Sequence, residues 1–206
     1  LEDAEAENYT SYLLNYEGKE EAHDPSKAAY KFFSDQLWPE GNVTDVDYFS
    51  KYDKVRGYSP PILTCDFNRN PQCWALMQSQ PDWYLVFDEI RNEDALTREQ
   101  AEQAVNKLRE WNIYYVWLYG DNTSNRTRGR HGKSDWETLC EVLDERGVGY
   151  KKKLGRSNPH RKDRVDTVNN VIYSGNDNDG VPRRRLVVHK RCEQVIADYK
   201  FSATDD

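Results

Sequence analysis

The residues of this chain best suited to do chemistry are two aspartates, each of which follows a hydrophobic run. Asp66 follows the run 61–65, and Asp121 follows the run 113–120. Both runs are short and rich in β-branched and aromatic residues, which is typical of buried strands. A carboxylate directly after such a strand is held at the edge of the sheet, where ligands bind in open α/β folds. Two such carboxylates on neighbouring strands can bind a divalent metal ion.

A third acid lies in the stretch 162–166, whose pattern predicts a helix. Two-metal nucleases clamp the attacking and leaving oxygens of a phosphodiester between two Mg²⁺ or Mn²⁺ ions, which prefer carboxylate oxygen. We therefore predict that Asp66, Asp121 and Asp163 are the catalytic metal ligands, with Asp66 bridging two ions. Asp166 lies three residues further on, can share the same helical face, and is the alternative third ligand.

Two further residues are candidates for supporting roles. His160 lies three residues before Asp163, where it can carry a proton or act as a transient ligand, and Glu89 ends a predicted strand. The alternatives are a histidine that faces DNA or solvent and a surface carboxylate at a strand end.

The charge of the chain is distributed unevenly. The formal net charge is -7, yet residues 1–60 hold 13 acids against 6 Lys and Arg, whereas residues 121–190 hold 16 Lys and Arg against 10 acids. Clusters of basic residues attract a phosphate backbone whatever the global charge. The predicted DNA-binding residues are Arg126, Arg128, Arg130, Lys133, Lys151, Lys152, Lys153, Arg156, Arg161 and Lys162.

Composition limits the remaining classes. The 206 residues are 37% hydrophobic and 32% charged, enough for one substantial domain with an appendage. An apolar run long enough to span a membrane is absent from the sequence. The four cysteines have no paired metal-ligand spacing, so we expect reduced thiols in a cytoplasmic protein.

The order of predicted elements indicates the fold. Residues 1–58 are interpreted as an acidic, aromatic arm with a short helix at 25–33, and residues 59–206 as one domain. That domain begins with three antiparallel strands at 62–67, 73–78 and 83–90, followed by a helix from Thr97 and a strand at 113–119. A helix capped by Ser134, a strand at 148–154, a helix at 161–173, a strand at 185–189 and a helix at 190–200 complete it. This is the order of an α/β, ribonuclease-H-like fold, with a central mixed sheet flanked by helices.

Three motifs resemble the nuclease domain of the large terminase subunits of tailed bacteriophages, the DNA-packaging motors. They are the stretches 66–71 (DFNRNP), 119–121 (YGD) and 158–169 (NPHRKDRVDTVN), and the resemblance covers roughly residues 55–200. It implies a metal-dependent endonuclease that cuts concatemeric viral DNA in the host cytoplasm. It also implies a C-terminal part of that subunit, whose partners are double-stranded DNA, the ATPase domain, the small terminase subunit and the portal. The ATPase phosphate-binding motif is absent from these 206 residues.

Two alternative functions remain open at this point. One is another ribonuclease-H-like nuclease of the resolvase or integrase type, against which the first motif and the acidic arm argue. The other is a non-catalytic docking module of a packaging motor, in which two strand-end aspartates and a helical acid would have no purpose.

Overall fold

The computed structural model of this chain describes residues 28–51, 59–68, 71–122, 132–155 and 157–202. Its contacts divide these residues into two compact units. The sheet unit comprises the described residues from 46 to 159, and the terminal unit comprises residues 28–45 and 160–202. The predicted division into an arm and a domain at residue 58 stays a prediction.

The described strands and helices agree closely with the predicted order. The strands are β1 (Val43–Thr44), β2 (Ile62–Cys65), β3 (Gln72–Ser79), β4 (Tyr84–Asn92), β5 (Tyr115–Gly120), β6 (Gly149–Lys152) and β7 (Leu186–His189). The helices are α1 (Tyr48–Lys51), α2 (Thr97–Glu110), α3 (Asp135–Glu145), α4 (Arg161–Ile172) and α5 (Glu193–Phe201).

The sheet unit contains a mixed sheet in the order β4-β3-β2-β5-β6. Strands β2, β3 and β4 form an antiparallel meander, while β5 pairs parallel with β2 and β6 pairs parallel with β5. A meander followed by two parallel strands is the strand order of the ribonuclease-H-like fold, which confirms the predicted fold class. Strand β2 is central, so the residue that follows it emerges from the most constrained part of the sheet.

Strands β3 and β5 are buried on one face and half-exposed on the other. Alternate residues of β3 are buried, and the same alternation places Val116 and Leu118 of β5 at 0% exposure. Helices α2 and α3 pack together and supply apolar stripes to the core, including Leu108 and Leu139. Burial of alternate residues is typical of strands with one face in the core.

The start of helix α3 is fixed as the sequence predicts. The Ser134 hydroxyl accepts a hydrogen bond from Glu137 N (3.1 Å), and the Glu137 carboxylate accepts one from Ser134 N (2.6 Å). These bonds lower the pKa of Glu137, because they stabilise its charged form. The capping box thereby sets the position of Trp136, the second residue of the helix.

The terminal unit is organised around one buried amide. Asn42 donates hydrogen bonds to Ile172 O (3.0 Å) and Leu186 O (2.8 Å), and its Oδ1 accepts one from Arg184 Nη1 (2.8 Å). Strands β1 and β7 pair in parallel beside it. Tyr199 of α5 contacts the aromatic ring of Phe33, which ties the helix to the segment 28–45.

The predicted helix at 25–33 is wrong where the structure describes it. Residues 29–32 form turns, because the aromatic side chains of this segment pack against other parts of the terminal unit and not along one helical face. All four cysteines are free thiols, as predicted. None of the helices in the described ranges combines the length and apolar character needed to cross a membrane.

Candidate metal centre

The register of the two central parallel strands brings Asp66 and Asp121 together. Cys65, the last residue of β2, is the register partner of Gly120, the last residue of β5. Asp66 and Asp121 directly follow these two residues. Neighbouring strands lie about 4.8 Å apart. The two predicted catalytic carboxylates therefore leave the same edge of the sheet from adjoining strands.

Gly120 permits this close approach. A Cβ at this position would lie 2.2 Å from Cys65 O and 3.1 Å from the Trp136 ring. Only a residue without a side chain fits between the β2 backbone and the helix α3 indole. The glycine before Asp121 is therefore a packing requirement of the strand end that carries the aspartate.

Asn68 holds the carboxylate of Asp66. Its backbone N donates to Asp66 Oδ1 (3.1 Å) and its side-chain Nδ2 donates to Asp66 Oδ2 (3.0 Å). Such a turn is typical of an aspartate with an amide residue two positions later. Asp66 is nevertheless exposed, so its oxygens keep lone pairs for a further ligand.

Asn158 plays the equivalent role for Asp121. Its Nδ2 donates a short hydrogen bond to Asp121 Oδ1, and its Oδ1 accepts one from Asn122 N (3.0 Å). No pattern in the sequence predicts a role for Asn158. It lies 37 residues from Asp121, and a contact over that separation leaves no local pattern in the sequence.

Two buried indoles fix the backbone beneath the aspartates. Trp74 Nε1 donates to Asp66 O, and Trp136 Nε1 donates to Asp121 O, both at 2.9 Å. Phe67 lies edge-on to both indoles, with ring centroids 5.5 Å from Trp74 and 4.8 Å from Trp136. Both tryptophans are at most 1% exposed. The strand ends are thus anchored by a rigid aromatic cluster, a feature that the sequence analysis also missed.

The donor atoms at this edge suit a hard cation. Carboxylate oxygens are the ligands that Mg²⁺ and Mn²⁺ prefer. The nearby Cys65 thiol does not compete, because burial raises its pKa well above the ordinary range and keeps it protonated. Within the described ranges, no group of three His, Cys, Asp or Glu side chains is placed to hold a metal ion. The observed arrangement is a pair of carboxylates.

The predicted third ligand belongs to the terminal unit. Asp163 and Asp166 are both exposed on helix α4, Asp163 in its first turn. His160 caps this helix, since its Nδ1 accepts a hydrogen bond from Lys162 N (3.4 Å). The choice between Asp163 and Asp166, and the supporting role of His160, stay predictions.

The acids of strand β4 are placed differently. Glu89 is the register partner of Ala75, which pairs with Thr64, so it lies two strands from β2, about 10 Å by strand spacing. Its supporting role stays a prediction. The preceding Asp88 is buried and accepts hydrogen bonds from Lys107 Nζ (3.2 Å) and from the Trp111 indole.

The structure separates the three consecutive lysines predicted to bind DNA. Lys151 is exposed, and Lys153 Nζ lies 4.4 Å from the Trp117 ring centroid. Lys152 points to the other face, over the Trp136 ring (5.9 Å), and lines an open cavity of about 540 Å³ that also contains four acids. Successive strand residues alternate between faces, so a run of lysines cannot form one patch.

Three of the other predicted DNA-binding residues lie within the described ranges. Lys133 forms an ion pair with Glu141 (2.6 Å), while Arg161 and Lys162 are exposed in the first turn of α4. The remaining four, Arg126, Arg128, Arg130 and Arg156, lie outside the described residues. DNA binding by any of these residues stays a prediction.

Comparison with solved structures shows that the chain shares its fold with a phage large terminase. The chain is similar to the large terminase from a thermophilic bacteriophage in complex with ATP-γ-S, with a TM-score of 0.54 at 13% identity, covering 87% of this chain and 38% of that one. It is also similar to the phage P22 large terminase nuclease domain (TM-score 0.49, 12% identity, 71% of this chain and 69% of that one). A third similar structure is the large terminase nuclease of thermophilic phage G20c with bound magnesium (TM-score 0.42, 13% identity, 71% and 66%).

The likeness is one of structure and not of overall sequence. No protein-family model matches the chain, and no curated protein matches it. The resemblance to large terminases inferred from the three motifs is nevertheless confirmed at the level of the fold by the match with a TM-score of 0.54. The chain spans just over a third of the length of the large terminase that was solved with ATP-γ-S.

Proposed function

We propose that this chain is a metal-dependent endonuclease that cuts double-stranded viral DNA during genome packaging. The observation that carries the proposal is the register pairing of Cys65 with Gly120, which sets Asp66 and Asp121 side by side at the edge of a ribonuclease-H-like sheet. The fold alone would not indicate the reaction, since one fold hosts many functions. Two adjoining carboxylates at this position supply the chemistry that phosphodiester hydrolysis requires.

The roles of the residues follow from their contacts. Asp66 and Asp121 would hold Mg²⁺ or Mn²⁺ through their carboxylate oxygens, and Asp66, on the central strand, would be the ligand shared by two ions. Ions held there would supply positive charge for the attacking and leaving oxygens of the scissile phosphate. Asn68 and Asn158 hold the two carboxylates in orientation through the hydrogen bonds described above. Asp163 of helix α4 would complete the ligand set.

The proposed partners follow from the similarity to the large terminases. The substrate is a concatemer of viral DNA, and the reaction takes place in the host cytoplasm. In a complete large subunit the chain would work with an ATPase domain, the small terminase subunit and the portal. Sequence-independent binding through phosphate contacts predicts that DNA affinity falls steeply with salt concentration.

A plasmid cleavage assay tests the proposal. Supercoiled DNA should be nicked and linearised in Mn²⁺ and remain intact in EDTA. Asp66→Asn should abolish cleavage, because the amide keeps the shape but loses the charge that binds the cations. Asp82→Asn is the matched control. It makes the same change at an exposed residue in the β3–β4 turn, at the opposite end of the sheet.

The outcomes separate the competing functions. Cleavage by Asp66→Asn within about tenfold of wild type would remove Asp66 from the reaction. A folded wild-type chain that stays inert at high concentration in Mn²⁺ would favour a non-catalytic docking module. Preferential cleavage of four-way junctions over plain duplex would favour a resolvase.

A further inference from the structure

An exposed aromatic row crosses the half-exposed face of the sheet. Tyr115, Trp117 and Tyr119 occupy alternate positions of β5 and therefore lie on one face, which we call the aromatic stripe. Tyr115 is 44% exposed, Tyr119 is 37% exposed and Trp117 is half-buried. Large aromatic side chains left open to solvent in a row indicate a binding surface more often than isolated ones do.

Two lysines flank the aromatic stripe on the same face. Lys151 of β6 is the register partner of Trp117, and it is exposed. Lys153, two residues further, places its ammonium 4.4 Å from the Trp117 ring centroid. Positive charge therefore lies directly beside and above the central ring. Lys152, between them, faces the opposite side of the sheet.

The stripe is built as a firm platform. A Cβ on Gly149, the register partner of Tyr115, would lie 2.8 Å from Tyr115 Cδ2, so the tyrosine ring rests against the glycine backbone. Trp117 N donates to Pro61 O (2.8 Å), which fixes the backbone of the central residue. A ring that is already held in place loses little conformational entropy when a ligand stacks on it.

We propose that the aromatic stripe binds an unpaired strand of DNA, with bases stacked on its rings and phosphates on Lys151 and Lys153. Aromatic residues on the open face of a sheet are a recurrent platform for single-stranded nucleic acid, because every base has a face that stacks. Strand β5 ends at Gly120, so Tyr119 lies two residues before Asp121. A strand bound along β5 therefore leads to the metal centre.

This inference rests on the proposed function for the choice of DNA as the ligand. A stripe that binds unpaired bases would hold one DNA strand apart from the other near the cleavage site. The lysines supply the charge complementarity that a purely apolar protein contact would not need. The two hypotheses are tested separately, because binding to the stripe needs no metal ion.

The test is fluorescence anisotropy of labelled oligothymidylate in EDTA. Replacement of all three rings by leucine (Tyr115→Leu, Trp117→Leu, Tyr119→Leu) should weaken binding at least about tenfold, since each stacked base contributes substantially. The double change Lys151→Gln, Lys153→Gln should lower the slope of log K against log salt by about 1.4, the value for two phosphate contacts on a single strand. An abasic oligomer should bind wild type and the leucine variant equally.

Matched controls lie outside the stripe. Tyr114→Leu changes a 62% exposed tyrosine that precedes the strand, and Lys190→Gln changes an exposed lysine that is not among the predicted DNA-binding residues. Both should leave oligothymidylate binding unchanged. If the triple variant is unfolded by circular dichroism, Tyr119→Leu alone should weaken binding and Tyr119→Phe should retain it, because phenylalanine still stacks.

Three results would overturn the inference. A folded leucine variant that binds oligothymidylate as wild type does would leave the stripe without a role in DNA binding. Loss of wild-type self-association in that variant, with DNA binding intact, would assign the stripe to a second copy of the chain. Equal losses in the Tyr114→Leu and Lys190→Gln controls would mean a non-specific effect. A chain that binds oligothymidylate through the stripe but never cuts DNA would refute only the proposed function.

Discussion

Substitution of Gly120 tests how the two aspartates are brought together. Gly120→Ala adds a Cβ 2.2 Å from Cys65 O, and real structures essentially never show a Cβ closer than 3.0 Å to another heavy atom. The strands β2 and β5 must therefore part by about 0.8 Å at the ends that carry Asp66 and Asp121. The added atom also lies 3.1 Å from the Trp136 ring, so it cannot move toward helix α3 to relieve the contact with Cys65 O.

The expected size of the effect differs between stability and activity. Overpacking of this kind costs about 1–3 kcal/mol of stability, which corresponds to a fall in Tm of roughly 2–12 °C for a chain of this length. A misplacement of about 1 Å in a catalytic site can reduce the rate on the order of 100-fold. We therefore expect a folded variant whose Mn²⁺-dependent cleavage falls about 100-fold.

Gly147→Ala is the matched control for this change. Gly147 has a φ of 69°, and an added Cβ would meet no atom within 4 Å. An alanine in this left-handed conformation costs about 1–2 kcal/mol of stability. The Tm of Gly147→Ala should therefore fall about as much as that of Gly120→Ala. Thermal melting and plasmid cleavage in Mn²⁺ measure both effects. Wild-type cleavage by a folded Gly120→Ala variant, or an equal loss of cleavage in Gly147→Ala, would refute the argument that the glycine sets the spacing.

Two further predictions concern residues around the pair. Asn158→Ala removes the donor to Asp121 Oδ1, and loss of such an outer partner should lower Mn²⁺ affinity or cleavage about 10–100-fold, whereas Ser157→Ala, at the adjacent exposed residue, should not. Asp163→Asn should abolish cleavage while DNA affinity is retained and one of two Mn²⁺ ions is lost. Asp166→Asn should leave partial activity, because it would orient a ligand or water.

Specific results would contradict each of these two predictions. Normal Mn²⁺ affinity and cleavage in Asn158→Ala would mean that Asn158 only connects two loops and has no role in metal binding. An inactive Asp166→Asn with an active Asp163→Asn would move the third ligand by one helical turn. Equal loss in both would mean that the two acids share one ion. Isothermal titration with Mn²⁺ and filter binding of DNA distinguish these cases.

The fold could be predicted from the sequence where local patterns determine structure. The hydrophobic runs of β2 and β5, the apolar stripe of α2, and the pairing of Ser134 with Glu137 all depend on residues close in sequence. The predicted helix at 25–33 failed because its aromatic residues pack on distant partners such as Tyr199, and such contacts outweigh local propensity.

The site could be predicted in part for the same reason. Asp66 and Asp121 each end a hydrophobic run, so their place at a sheet edge was visible in the sequence. The roles of Asn158 and Trp136 depend on contacts 37 and 15 residues away, which only the folded chain reveals. Lys151, Lys152 and Lys153 form one basic cluster in the sequence. Lys152 nevertheless lies on the other face of the sheet, because successive strand residues alternate between faces.

Anomalous scattering from crystals grown with Mn²⁺ tests most directly that Asp66 and Asp121 form a metal centre. We expect a manganese peak about 2.0–2.2 Å from a carboxylate oxygen of each aspartate, absent from crystals of the Asp66→Asn variant. Peaks confined to other carboxylates, such as those that line the cavity beside Lys152, would contradict it. So would a fully ordered pair of aspartates without any peak in saturating Mn²⁺.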